Sequence, residues 1–193
     1  MTTGIETSTP RATSTPRGTL ARLIPYHRTA GPRDALYHLW DLMEAQGGAP
    51  LLFHGQHGPE SVRGDLIAFT RMLAPQQGDC YVLLAAKPDV AQLEGFIWFD
   101  DVVHLGAHTR AAINVFYRRR FWGAPARDAT RQALRYGVTV LGFHSIWGWS
   151  PWPNAVRHAR AVGMTVMAEL PGFAAGGRDL TIVRATREEI LGE

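Results

Sequence analysis

Three consecutive arginines, Arg118, Arg119 and Arg120, followed closely by Gly123, are the densest concentration of chemistry in the sequence. They lie within Ala111–Tyr136. Its first half is apolar and β-prone (Ile113, Val115, Phe116, Tyr117), and its second half repeats Ala126, Ala129, Ala133 and Leu134 at helical spacing. A strand, a basic turn with a glycine and a helix start together make an anion site. The first backbone N–H groups of a helix have no partner inside it, and the helix dipole favours negative charge there. Arginine forks match phosphate oxygens in pairs. The stretch therefore predicts a phosphate-binding turn. Pro125 lacks an N–H and removes one donor, although the first helical turn is where proline fits best.

Other chemistry-bearing residues are scattered. His54-Gly55-Gln56-His57-Gly58-Pro59 has two histidines three apart, but its glycines and proline make it a loop and no cysteine completes a metal set. No metal site is expected. Cys80 is the only cysteine and adjoins an apolar run, which makes it a core thiol rather than a reactive one. Trp147, Trp149 and Trp152 fall within six residues. They read either as a hydrophobic plug or as an aromatic wall for a ligand.

Around these residues the pattern supplies elements. Strands are predicted at Leu20–His27, Cys80–Ala86, Leu93–Val103, Ala111–Tyr117, Val138–Ile146, Met164–Leu170 and Leu180–Val183, with a short extended piece at Pro50–Phe53. Helices are predicted at Ala35–Gln46 and from Ser61 to about Leu73. Two more follow at Ala126–Tyr136 and at Ala155–Val162, with Asn154 as N-cap of the last. The order β-α-α-β-β-β-α-β-α-β-β, with one βαβ crossover in the middle, gives an α/β or α+β fold: a mixed sheet with helices on its faces. Residues 1–19 repeat Ser-Thr-Pro-Arg, carry few apolar side chains and read as a disordered tail, leaving residues 20–193 as one domain.

With 46% hydrophobic residues in 193, the chain can bury a sizeable core. It has no apolar run of eighteen and no apolar signal core, which excludes a membrane partner and points away from secretion. The lone cysteine suits a reducing interior, the cytoplasm of a cell or of a phage's host. The net charge is +3, the pI is about 9.4 and Lys87 is the only lysine, a balance that suits a polyanionic ligand and equally a GC-rich genome.

At two places the sequence resembles the GCN5-related N-acetyltransferase superfamily. The family turn reads Arg or Gln, two residues, Gly, one residue, Gly or Ala. Arg120-Phe121-Trp122-Gly123-Ala124-Pro125-Ala126 matches the arginine and first glycine and departs at Pro125. The segment Pro151–Met164, with Asn154, a helix and Gly163-Met164, is similar to the family's Asn-helix-Gly-Phe element, with Met164 in place of Phe. Gly177-Arg178-Asp179 before Leu180–Val183 resembles the branch that acetylates ribosomal-protein N-termini and the small acetyltransferases common in phages.

The resemblance covers about residues 20–190 and implies a central, mostly antiparallel sheet of six to seven strands. It also implies a splayed parallel pair and about four flanking helices. It further implies acetyl-CoA as co-substrate and direct transfer of its acetyl group to an amine. The implied cofactor residues are Phe116, Tyr117, Arg118, Arg119, Arg120, Phe121, Trp122, Gly123, Ala124, Ala126, Arg127 and Asn154. The pantetheine would run between Ala111–Tyr117 and Val138–Ile146. Attack on the thioester needs a base for the amine proton and an acid for the leaving thiolate. The family often places a Glu on the motif strand, where this chain has Asn114. Glu94, Asp100, Asp101 or His104 are the candidate bases. The usual late-helix Tyr falls near Ala159, which leaves Ser150, Ser145 or solvent as the acid. Two other readings stand beside this one. A non-catalytic module of the same fold is suggested by Pro125 and the missing Tyr. A nucleic-acid-directed protein is suggested by the pI, the arginines and the tryptophans. The expected partners are acetyl-CoA and an amine of unread identity, with the chain a monomer or homodimer.

Overall fold

The computed structural model describes residues 19–26, 37, 40–41, 43–45, 80–90, 92–174 and 176–193. The predictions for residues 1–18, 50–53, the His54–Pro59 loop and the helix from Ser61 lie outside them, as does part of the helix predicted at Ala35–Gln46. Tyr37, Trp40, Asp41, Met43 and Glu44 are helical as that prediction has it, with Trp40 and Met43 buried.

Seven strands form one sheet: β1 (Arg22–Tyr26), β2 (Tyr81–Ala86), β3 (Leu93–Leu105), β4 (His108–Tyr117), β5 (Ser145–Ser150), β6 (Thr165–Ala174) and β7 (Arg178–Thr186). Their spatial order is β1-β2-β3-β4-β5-β7-β6, and only β4 and β5 run parallel. Strand β2 is nearly all apolar and buried, as a central strand covered on both faces must be. Helix α1 (Ala124–Thr139) makes the crossover from β4 to β5, and its alanine stripe, Ala126, Ala129 and Ala133, is fully buried with Leu134 and Val138. Helix α2 (Pro153–Ala161) follows β5, and a short α3 (Arg187–Leu191) closes the chain.

Most element boundaries differ from the sequence reading. The strand expected at Val138–Ile146 is β5 at Ser145–Ser150, because α1 continues through Val138 to Thr139. Gly137 lets the helix lie against Ile146, Phe143 and Phe99, so tertiary packing overrides the β-branched residues there. Helix α2 begins at Pro153, not after Asn154: Trp152 is the N-cap and the proline's fixed φ seeds the first turn. Strands β3, β4, β6 and β7 are longer than predicted, and β6, at the sheet edge, accommodates Pro171 beside a register shift. Helix α3 went unpredicted although its signal is explicit: Thr186 accepts from the Glu189 N–H and Glu189 accepts from the Thr186 N–H, a capping box.

The main core lies between α1 and the sheet. Phe99, Phe143, Phe121, Tyr117, Ile97, Ile146 and Leu134 meet there. Asp128 ties α1 to the entry of β1, accepting from the N–H groups of Leu20 and Ala21.

Candidate active site

Strands β4 and β5 pair only where Arg110–Ala112 face Ser145–Trp147. Beyond Ala112 they part, and a cleft of about 1230 Å³ opens between the rest of β4 on one side and β5 with α2 on the other. The sequence placed this cleft against Val138–Ile146; the structure places it against Gly148, Trp149, Ser150 and α2. At its end β4 runs into the arginines, a turn of 3-10 helix at Arg119–Phe121, and the start of α1.

The turn joins β4 to α1 as a strand, a basic glycine-containing turn and a helix start, with the helix beginning at Ala124 rather than at the expected Ala126. Gly123 takes φ +101°, a conformation L side chains rarely adopt, and so reverses the chain into α1. Pro125 sits in the first turn. Arg127 N–H already donates to Gly123 O, so the donors left at the helix start are the N–H groups of Gly123, Ala124 and Ala126. Phe121 is corrected: its ring is fully buried against Tyr117 and its N–H donates to Arg118 O, so it has no donor to offer. Ala126 likewise points its methyl into the core and contributes backbone only. Phe116, Tyr117, Arg118, Arg119, Arg120, Trp122, Gly123, Arg127 and Asn154 all border the cleft.

Arg120 and Glu94, assigned to different tasks by the sequence, hold each other. Glu94 on β3 is 1% exposed, and its two oxygens accept from Arg120 Nε at 2.9 Å and Arg120 Nη2 at 2.8 Å. Arg120 Nη2 also donates to Gln92 Oε1. The guanidinium is held above its ordinary pKa by the Glu94 hydrogen bond. A carboxylate fully engaged in this way, outside the cleft lining, is not placed to collect a proton there. His104 is also removed from the cleft: it is exposed near the far end of the β3–β4 hairpin, with Nδ1 3.1 Å from Thr109 Oγ1. Asp100 stands behind β4. It accepts from Trp98 Nε1 and from Asn114 Nδ2 at 2.9 Å, so it fixes the amide of Asn114, which does line the cleft. Asp101 follows at φ +48°, at the register shift in β3, and is exposed. Ser150 alone of the six residues named as base or acid borders the cleft; its Oγ accepts from Trp152 N–H.

His158 on α2 also stands in the wall of the cleft. Its Nε2 lies 2.9 Å from Thr130 Oγ1, which is 2.8 Å from the Tyr117 hydroxyl and donates to Ala126 O. A hydroxyl has one hydrogen, and here it goes to Ala126 O. Tyr117 O–H and His158 Nε2–H therefore both donate to Thr130. Burial, and then the charges of Arg127 and Arg131, bring His158 down to about 4, so it is neutral at pH 7. Burial also raises the Tyr117 hydroxyl. No spacing rule marks a histidine on α2 as the meeting point of β4, α1 and α2; only the fold brings them together.

Asn154, expected as cap and cofactor contact, is exposed at the cleft edge, with Oδ1 accepting from Arg157 Nη2. Trp149 and Trp152 border the cleft, and Trp147 does not. The Arg178 guanidinium stacks 4.0 Å above Trp152. Cys80 is half-buried and its thiol is pushed up to about 12 by burial and by Asp100, which leaves it protonated and inert. Among the described residues no group of three or more His, Cys, Asp or Glu could hold a metal, and no helix is long and apolar enough to cross a membrane.

A mixed seven-stranded sheet with one splayed parallel pair opening on a basic helix start is the fold of the GCN5-related N-acetyltransferases. Among the solved structures it is similar to are spermidine N-acetyltransferases. One is the enzyme from Vibrio cholerae in complex with CoA and spermine, at 17% identity and TM-score 0.69, covering 90% of this chain and 99% of that one. Another comprises mutant forms of the spermidine/spermine N-acetyltransferase SpeG from Vibrio cholerae, at 17% identity and TM-score 0.66, covering 91% and 98%. A third is a chimera of the Vibrio cholerae protein with hSSAT, at 17% identity and TM-score 0.64, covering 90% and 99%. No protein-family model and no curated protein sequence matches the chain.

Proposed function

We propose that the chain is an acetyl-CoA-dependent N-acyltransferase that moves an acetyl group to an amine by direct attack on the thioester. The observation that carries this reading is the splay of β4 from β5, which leads straight to a helix start flanked by Arg118, Arg119 and Arg127. The neighbouring fold that binds CoA in its solved structure supports it.

The donor set fits a polyphosphate. The N–H groups of Gly123, Ala124 and Ala126 at the helix start are the donors that would take the anion, Arg119 and Arg127 on the cleft lining would neutralise it, and Pro125 leaves the cradle one donor short. The coenzyme supplies an activated acyl group on a thiolate leaving group. The backbone of β4 beyond Ala112, which has no strand partner on the β5 side, orients it along the cleft. Asn114, held by Asp100, and Ser150, held by Trp152 N–H, are two of the polar residues that line the cleft. The Ser150 hydroxyl is the proton donor we assign to the leaving thiolate. Among the described residues the cleft lining carries no carboxylate. Positioning of an already neutral amine, with solvent taking its proton, therefore carries the base step.

Thermal unfolding with and without millimolar acetyl-CoA tests the binding. A rise in Tm with acetyl-CoA and none with inorganic phosphate is expected; no shift at millimolar acetyl-CoA defeats the reading. Release of free thiol from acetyl-CoA, measured across spermidine, lysine peptides and N-terminal peptides, identifies the acceptor. Binding without turnover on any amine would favour the non-catalytic module, a reading supported by the absence of a tyrosine from α2.

A further inference from the structure

The contacts among Glu94, Arg120 and Gln92 form a clamp at the point where β4 leaves the sheet. Glu94 acts on the turn twice. Its side chain accepts from Arg120 Nε and Nη2, and its main-chain O accepts from Arg118 N–H at 2.7 Å. Two further ties converge there: Phe121 N–H donates to Arg118 O, and Trp122 Nε1 donates to Tyr117 O at 3.1 Å. Next to Glu94, Gly95 lies so close to β4 that an added Cβ would stand 2.1 Å from Phe116 O. Strand β3 and the turn are thus locked together at backbone contact distance. The carboxylate is 1% exposed, so its charge is compensated by Arg120 or not at all.

We propose that Glu94 is a positioning residue: its ion pair with Arg120 fixes the Arg118–Ala124 turn in the anion-accepting shape, and Arg120 is a strut rather than a phosphate ligand. Arg118, Arg119 and Arg127 then remain the cations that face the bound polyanion. This rests on the coenzyme reading for the identity of the anion, but not for the rigidity of the turn.

Glu94→Gln separates the alternatives, because it removes the carboxylate's charge and sets Arg120 loose with its own charge intact. A positioning role predicts faster amide hydrogen exchange over residues 118–126 in the ligand-free protein. It also predicts about a tenfold rise in the CoA Kd and in the KM for acetyl-CoA. The loss should fall on KM rather than kcat, with the acidic limb of the pH–rate profile unmoved. If Arg120 were a phosphate ligand, freeing it would leave CoA affinity unchanged or tighter; if Glu94 were the base, kcat would collapse and the pH limb would vanish. Either result overturns the proposal, as does unchanged exchange over residues 118–126. Arg120→Gln, on the exposed partner, gives the same exchange readout should Glu94→Gln fail to fold. Faster exchange in a protein whose wild type binds no CoA would uphold the clamp and defeat only the coenzyme reading.

Discussion

Along the β4 side of the cleft, the chain from Tyr117 to Trp122 is pinned to β3 and to itself by an ion pair, two main-chain hydrogen bonds and an indole N–H. Along the other side, α2 has no fully buried residue and no side-chain cap. Trp149 is 38% exposed, and the Trp152 indole N–H is buried without a partner among the described residues. The contrast is one of preorganisation. A polyphosphate presents a fixed pattern of charge, and donors held in place for it lose little entropy on binding. A wall that carries a stacked arginine and an unsatisfied indole can be rearranged at lower cost. It suits the side of a site that must adapt to what enters.

That comparison can be broken at its rigid side first. Gly95→Val puts a side chain against the backbone of Phe116 and Tyr117. A loss of at least about 3 kcal/mol, the upper end for overpacking, is expected in urea unfolding. A loss below 1 kcal/mol would mean that β3 and the turn are not locked. Removing the cleft cations comes next. Arg119→Ala and Arg127→Ala should each weaken CoA binding about tenfold, the ~1.5 kcal/mol typical of a charged hydrogen bond. Calorimetry at two salt concentrations should show the salt dependence shrinking in both variants.

The junction of the two walls is tested by pH. His158 is held at about 4 in the folded protein, below the ordinary 6.5, so the unfolded chain binds more protons between those values. Stability is full above about pH 6.5 and falls as the pH drops toward 4. In His158→Gln that part of the decline should disappear from the urea midpoints, and an unchanged pH profile would place the loss elsewhere. The smallest effect belongs to the adaptable wall. Trp152→Phe removes a donor that already lacks an acceptor while keeping a ring beneath Arg178. Its melting temperature should stay close to that of the wild type, a change within about 1 kcal/mol. A larger loss would show that this wall is as tightly specified as the other.

Sequence alone carried the order of the described strands, the β2–β3 pairing and the strand-turn-helix at Arg118–Gly123, because period, glycine and charge are local signals. It misplaced β5 because Val138 and Val140 have β-prone side chains. What keeps that segment helical is contact with Phe99 and Ile146, far away in the chain. The site was legible as a set of residues and not as a set of partners. Glu94 and Arg120 are twenty-six positions apart, and nothing local says that one neutralises the other. Thr130, which joins Tyr117 to His158, carries no motif at all.

Gly137 is the point of α1 that lies against Ile146, Phe143 and Phe99. Its missing side chain lets α1 approach the sheet, since a Cβ there would stand 2.8 Å from Ile146 Cδ1. The helix has 16 residues and behaves as a stiff rod of ~24 Å. A group wedged under Gly137 would tilt the rod and swing its far end, where the donors of Gly123, Ala124 and Ala126 lie about 20 Å away. A side chain at this position would therefore act on the basic end of the cleft without altering any residue that lines it.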